Sequence, residues 1–196
     1  ALITSVKGAC PAISQRYYAL KARWLELDVM DYWDRNAPLP DADQDRVSWD
    51  DARATVLDAY EGFAPAMRDI AERFFGSDWI DASPRPGKDS GAFSHSTVPS
   101  VHPYILMNYH GKARDVMTLA HELGHGVHQV LAAPQGHFLS DTPLTLAETA
   151  SVFGEMLTFR SMLDAAPDGR ARRALLARKV EDMLNTVVRQ GAFCDF

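Results

Sequence analysis

The spacing of apolar and polar positions predicts a chain that is mostly helical. From about Pro11 to Leu27 the sequence is rich in Ala, Leu, Arg and Lys without internal Gly or Pro, and it reads as a helix. Asn36-Ala37-Pro38-Leu39-Pro40 breaks the pattern into a loop. Ser48 followed by Trp49-Asp50-Asp51 has the layout of a helix start, a capping side chain ahead of acids in the first turn. Helical spacing then runs to about Phe75, with interruptions available at Gly62 and Pro65, and ends at Gly76-Ser77-Asp78. The stretch from Ser83 to Ala92 carries Pro84, Pro86, Gly87 and Gly91 and is predicted to be a loop. Two short strands are expected after it, Gly91-Ala92-Phe93-Ser94 and Tyr104 to Tyr109, the second bounded by Pro103 and Gly111. Helices follow from about Ala113 to Leu131, from just after Thr142-Pro143 to about Leu163, and from about Arg170 towards Gln190. No internal repeat or low-complexity tract interrupts them. The predicted fold class is therefore mainly α with a small β-sheet.

Composition adds limits. The chain has 196 residues, enough for one sizeable core or two small ones. A formal charge of −6 does not suit a nucleic-acid partner, which needs a basic face. No apolar run approaches the ~20 residues of a membrane helix, and the first residues lack the layout of a signal peptide. Two cysteines, Cys10 and Cys194, make no disulfide framework, so a cytoplasmic location is the simplest expectation. The absence of an initiator Met and the apolar final residues lead us to expect a piece of a longer protein.

The chemistry is concentrated in His121-Glu122-Leu123-Gly124-His125, which falls on a predicted helix. Histidines four apart stack on one helix face, about 6 Å apart along the axis, so two imidazoles can converge on one cation. Glu122 is turned about 100° from His121 and misses the metal, but it can reach a water beside it. A match to this pattern arises by chance in under about 1% of chains this long. The neighbours Leu119, Ala120, Leu123 and Gly124 read as packed, which argues against two surface histidines with a solvated glutamate between them. A catalytic zinc needs a third protein ligand and an open position. Glu148 is the candidate, 23 residues beyond His125 on the next helix. Thr145-Leu146-Ala147-Glu148 also fits a capping box, in which Glu148 would only reach a backbone N–H. His128 competes as a ligand but lies about 10.5 Å along the axis from His121, which favours a packing or supporting role. Glu155, seven residues past Glu148, is either a carboxylate that orients a ligating histidine or a solvated glutamate.

Around these residues the sequence resembles the oligoendopeptidase F and thimet oligopeptidase family of zinc peptidases, and most closely the oligoendopeptidase F branch. The resemblance rests on Trp79-Ile80-Asp81, Pro84 to Phe93, Pro103 to Tyr109, Arg114-Asp115-Val116, Thr118 to His125 and Leu146 to Ser151. It implies a zincin-like metallopeptidase core within a larger helical, channel-type fold. Carried over residue by residue, it implies His121, His125 and Glu148 as ligands of one Zn2+ per chain and Glu122 as general base. It implies short peptides as substrates and likens Tyr104–Tyr109 to the edge strand that an extended peptide would join. It divides the chain into residues 1–78, a helical segment of the peptidase domain, and 79–196, the zinc-binding core. The family's substrate-holding His and Tyr residues would lie beyond Phe196, and Tyr104, Tyr109 and His110 are poor local replacements. Taken alone, the chain is therefore expected to bind zinc, to cleave peptides poorly and to self-associate through exposed apolar surface. The rival reading is a non-catalytic helical domain with a structural zinc, which needs a fourth ligand such as His128 or His95. An aminopeptidase ranks lower, because no Gly-x-Met-Glu-Asn segment is present.

Overall fold

The computed structural model describes residues 2–39 and 46–195; Pro40, at the end of the predicted break, and the terminal Phe196 lie outside them. Six α-helices, two short 3-10 turns (Tyr32–Asn36 and Ala133–Gln135) and a three-stranded sheet occur among the described residues. The α-helices and strands are α1 (Leu2–Trp24), α2 (Trp49–Phe63), α3 (Pro65–Gly76), β1 (Ile80–Asp81), β2 (Phe93–His95), β3 (Tyr104–Leu106), α4 (Ala113–Ala132), α5 (Leu144–Asp164) and α6 (Gly169–Asp195). The elements fall into two compact units, one holding α2 to α5 with the sheet and the other holding α1 and α6. Thus α2 and α3, which precede residue 79, pack in the same unit as the helices that carry the candidate ligands.

Local signals set several boundaries. Ser48 caps α2, its hydroxyl accepting from the Asp51 N–H at 3.1 Å, as its sequence position predicts. Pro65 opens α3 at its first position, so the interruption read at Gly62 and Pro65 is the α2–α3 junction. Helix α1 departs from expectation. It begins at Leu2 and runs through Pro11. An interior proline removes one backbone bond. That loss is outweighed in its unit by packing against α6, where the Tyr17 hydroxyl donates to the Ala177 carbonyl at 3.0 Å and buried Lys21 pairs with Glu181.

The sheet order is β1-β3-β2, with β1 and β3 parallel and β2 and β3 antiparallel. This corrects the edge-strand expectation. β3 is the central strand of the three, because Ile105 and Met107 donate to the Trp79 and Asp81 carbonyls at 2.9 and 3.0 Å while its other side pairs with β2. β1 was not legible as a strand, since two residues carry no alternation. The main core lies between the sheet and the helices of its unit. It buries Val56, Leu57 and Tyr60 of α2, Phe74 of α3, Ile105 and Met107, and Val116, Leu119, Leu123 and Val127 of α4.

Candidate active site

The site is built on α4 and α5. Asp115 stabilises the start of α4, its carboxylate accepting from the backbone N–H groups of Lys112 at 3.0 Å and His110 at 2.8 Å. The apolar face of α4 is buried, and this turns His121 and His125 towards α5. Their rings lie 5.1 Å apart, nearly perpendicular.

Glu148 meets both. Its Oε2 is 3.1 Å from His121 Nε2 and 3.5 Å from His125 Nε2. The α5 helix begins with Pro143 at its cap and Glu148 in its second turn, so Glu148 does not close a capping box with Thr145. Ser151, one turn further along α5 and fully buried, donates its hydroxyl to the same Oε2 at 2.7 Å. Sequence reasoning missed this residue; its one signal is the i, i+3 spacing from Glu148.

Behind His121 stands Glu155, with Oε2 3.2 Å from Nδ1. A neutral imidazole that donates from Nδ1 to Glu155 turns the Nε2 lone pair towards Glu148. Burial works to lower the His121 imidazole's pKa, but the Glu155 hydrogen bond and the charges of Glu122 and Glu148 outweigh it and hold it above its ordinary value. His125 moves the other way. Burial lowers it, with His121 and His128 adding to the fall and Glu148 and a backbone hydrogen bond with Ala147 opposing it. Glu122 is buried, and its pKa is pushed up to about 7, first by burial and then by the charge of Glu148, with His121 opposing. A carboxyl poised there can accept and return a proton near neutral pH.

The donor set fits a zinc ion. Nitrogen and oxygen ligands about 2.0–2.1 Å from a tetrahedral ion lie about 3.3 Å from one another. The two separations to Glu148 fall on either side of that value, and all three donor atoms lie within 4.8 Å of each other. Among the described residues neither His128 nor His95 joins this group. The His95 Nδ1 accepts from the Thr97 N–H at 3.0 Å within its own loop. Tyr109 is engaged elsewhere too: its hydroxyl donates to the carbonyls of Val47 at 2.9 Å and Ser48 at 3.2 Å.

Comparison with known proteins gives a consistent picture. Residues 9–196 match the profile of peptidase family M3. The chain is 30% identical over its whole length to oligopeptidase PepF of Bacillus subtilis (strain 168), of which it covers 29%. It is 29% identical to the chromosomal oligoendopeptidase F of Lactococcus lactis subsp. cremoris, of which it covers 32%. It thus spans about a third of the length of these relatives. The crystal structure of a protein from Chlamydophila abortus described as a peptidase superposes with a TM-score of 0.83 at 28% identity, covering 99% of this chain and 32% of that one. A structure of PZ peptidase A with an inhibitor shares the fold, with a TM-score of 0.75 at 15% identity over 93% of this chain and 33% of that one. A match that spans both compact units and contains the paired histidines, Glu122 and Glu148 places the chain in peptidase family M3, on its oligoendopeptidase F branch.

Proposed function

We propose that this chain carries the catalytic centre of a zinc-dependent endopeptidase that hydrolyses short oligopeptides. The observation that supports it most is the convergence of His121 Nε2 and His125 Nε2 on one Glu148 oxygen, beside a buried Glu122. His121, His125 and Glu148 would hold the zinc, which supplies Lewis acidity towards a water and a peptide carbonyl. Glu122 accepts a proton from the attacking water and delivers it to the departing amine nitrogen. Glu155 keeps a proton on His121 Nδ1, and Ser151 fixes the Glu148 carboxylate. The extended substrate adds to the outer side of β2, the strand that ends the sheet next to α4.

A structural zinc is the weaker alternative, because the group of donors among the described residues stops at three. The test is cleavage of a quenched fluorescent peptide by the zinc-loaded protein and its Glu122→Gln variant. Turnover should fall in the variant by roughly 10²–10⁴-fold while zinc is retained. Equal turnover in the two proteins, at a rate above the zinc-free background, would show that Glu122 is not the base.

A further inference from the structure

The sheet's hydrogen-bond pattern fixes which backbone groups of β2 face outward. Ile105 and Met107 direct their N–H groups to β1, so Tyr104 and Leu106 direct theirs to β2. These pair with His95 and Phe93. Ser94 lies opposite Ile105 and therefore turns its own N–H and C=O away from the sheet, to the open side. Gln129 reaches that residue from α4. Its Nε2 donates to the Ser94 carbonyl at 3.2 Å, and its Oε1 accepts from the Ser94 hydroxyl at 2.8 Å. Gln129 is one turn beyond His125, about 6 Å further along the helix axis. The same helix thus carries two zinc-ligand candidates and the clamp on the strand that a peptide would join.

We propose that Gln129 is a positioning residue that sets the height and register of a bound peptide relative to the zinc ligands. The inference rests on the peptidase reading of the site. β2 is only three residues long, and the loop after it bends at once, with Thr97 at φ 59° held by bonds to His95 Nδ1 and the His102 carbonyl. So short a ladder holds a strand weakly by itself. The Gln129 carboxamide contacts Ser94 through both its oxygen and its nitrogen, which fixes the peptide plane that follows Ser94. The carbonyl keeps a second lone pair and the Ser94 N–H faces outward, so the pair an added peptide would use is held in place rather than blocked.

The test compares steady-state kinetics of the zinc-loaded protein with its Gln129→Ala, Gln129→Glu and Ser94→Ala variants on one quenched peptide. Gln129→Ala should raise KM by about tenfold with kcat nearly unchanged. Gln129→Glu, which puts a carboxylate against the Ser94 carbonyl, should raise it at least as much. Ser94→Ala loses only the hydroxyl bond and should raise it less. Zinc content should stay at the unsubstituted value and the melting temperature should fall by only a few degrees, about what one or two lost hydrogen bonds cost, whereas a purely structural role would lower zinc content and kcat together. An unchanged KM in both Gln129 variants overturns the proposal while leaving the peptidase reading intact. An unsubstituted protein that binds zinc but neither binds nor cleaves the peptide overturns both.

Discussion

At the scale of single residues, the site works by opposed environments for neighbouring titratable groups. Burial raises Glu122 from its ordinary 4.5 to about 7, while His121 is held protonatable by Glu155 and His125 is pushed towards its neutral form. The Glu122 shift makes a stability prediction for the metal-free protein. A carboxyl whose folded pKa is raised favours folding fully only while it is protonated. Stability should therefore fall as pH climbs from about 4.5 towards 7, where the unfolded chain has already released the proton. Glu122→Gln should remove that fall, as measured by melting temperature across the range; an unchanged slope would show that burial does not shift this group. Ser151 gives a second prediction. Its hydroxyl is buried against the Glu148 carboxylate, so Ser151→Ala should weaken zinc binding by roughly 10–100-fold in a competition titration with a chelator. The paired histidines were legible in the sequence because a 3.6-residue repeat converts i, i+4 spacing directly into proximity. Ser151 was not, since a serine inside a helix is usually mute until its neighbour's role is known.

At the scale of elements, the three ligand candidates meet because α4 and α5 approach closely at glycine. Gly124 lies between the two histidines, and a Cβ there would sit 2.6 Å from the Ala150 carbonyl oxygen and 2.8 Å from Ser151 Cα. Both are backbone atoms of α5, next to the helical turn that carries Glu148. Gly124→Ala must move α5 outward. It should cost about 1–3 kcal/mol of stability and also reduce zinc affinity, because Glu148 moves with the helix. Gly62→Ala in α2 is the control: nothing lies within 4 Å of that position, and the change should stabilise by up to about 1 kcal/mol. Denaturant melts of both variants check the pair. Nearby, the Tyr60 hydroxyl donates to the Ala120 carbonyl at 2.6 Å in space that a side chain at Gly154 would fill. Gly124 reads as packed from its apolar neighbours, and it is buried, but what it packs against could not be read in advance, because a helical glycine looks the same whichever backbone or side chain it meets. Helix existence was legible throughout, since long periodic segments override local ambiguity. Strand neighbours were not: Tyr104–Leu106 reads alike as an edge or a centre, and only the two-residue β1 on its far side decides it. The start of α1 was hidden by Pro11, a breaker that packing against α6 overrides.

At the scale of the whole molecule, charge and surface point to different behaviours. The −6 formal charge opposes nucleic-acid binding, and among the described residues no helix is long and apolar enough to cross a membrane. Around the start of α5, Phe138, Leu139, Leu144 and Leu146 are strongly exposed. A cluster of that kind should promote self-association. Sedimentation velocity should show mass rising with concentration, and a Phe138→Ser, Leu144→Ser double variant should suppress it; a concentration-independent monomer would contradict this. The central claim is that His121, His125 and Glu148 hold one zinc ion, with Glu122 beside it rather than on it. Elemental analysis of the purified protein, alongside its Glu148→Ala and Glu122→Gln variants, tests it most directly. About one zinc per chain in the unsubstituted protein and in Glu122→Gln, with most of the zinc lost in Glu148→Ala, is the result the geometry predicts. Full zinc content in Glu148→Ala, or its loss in Glu122→Gln, would contradict it.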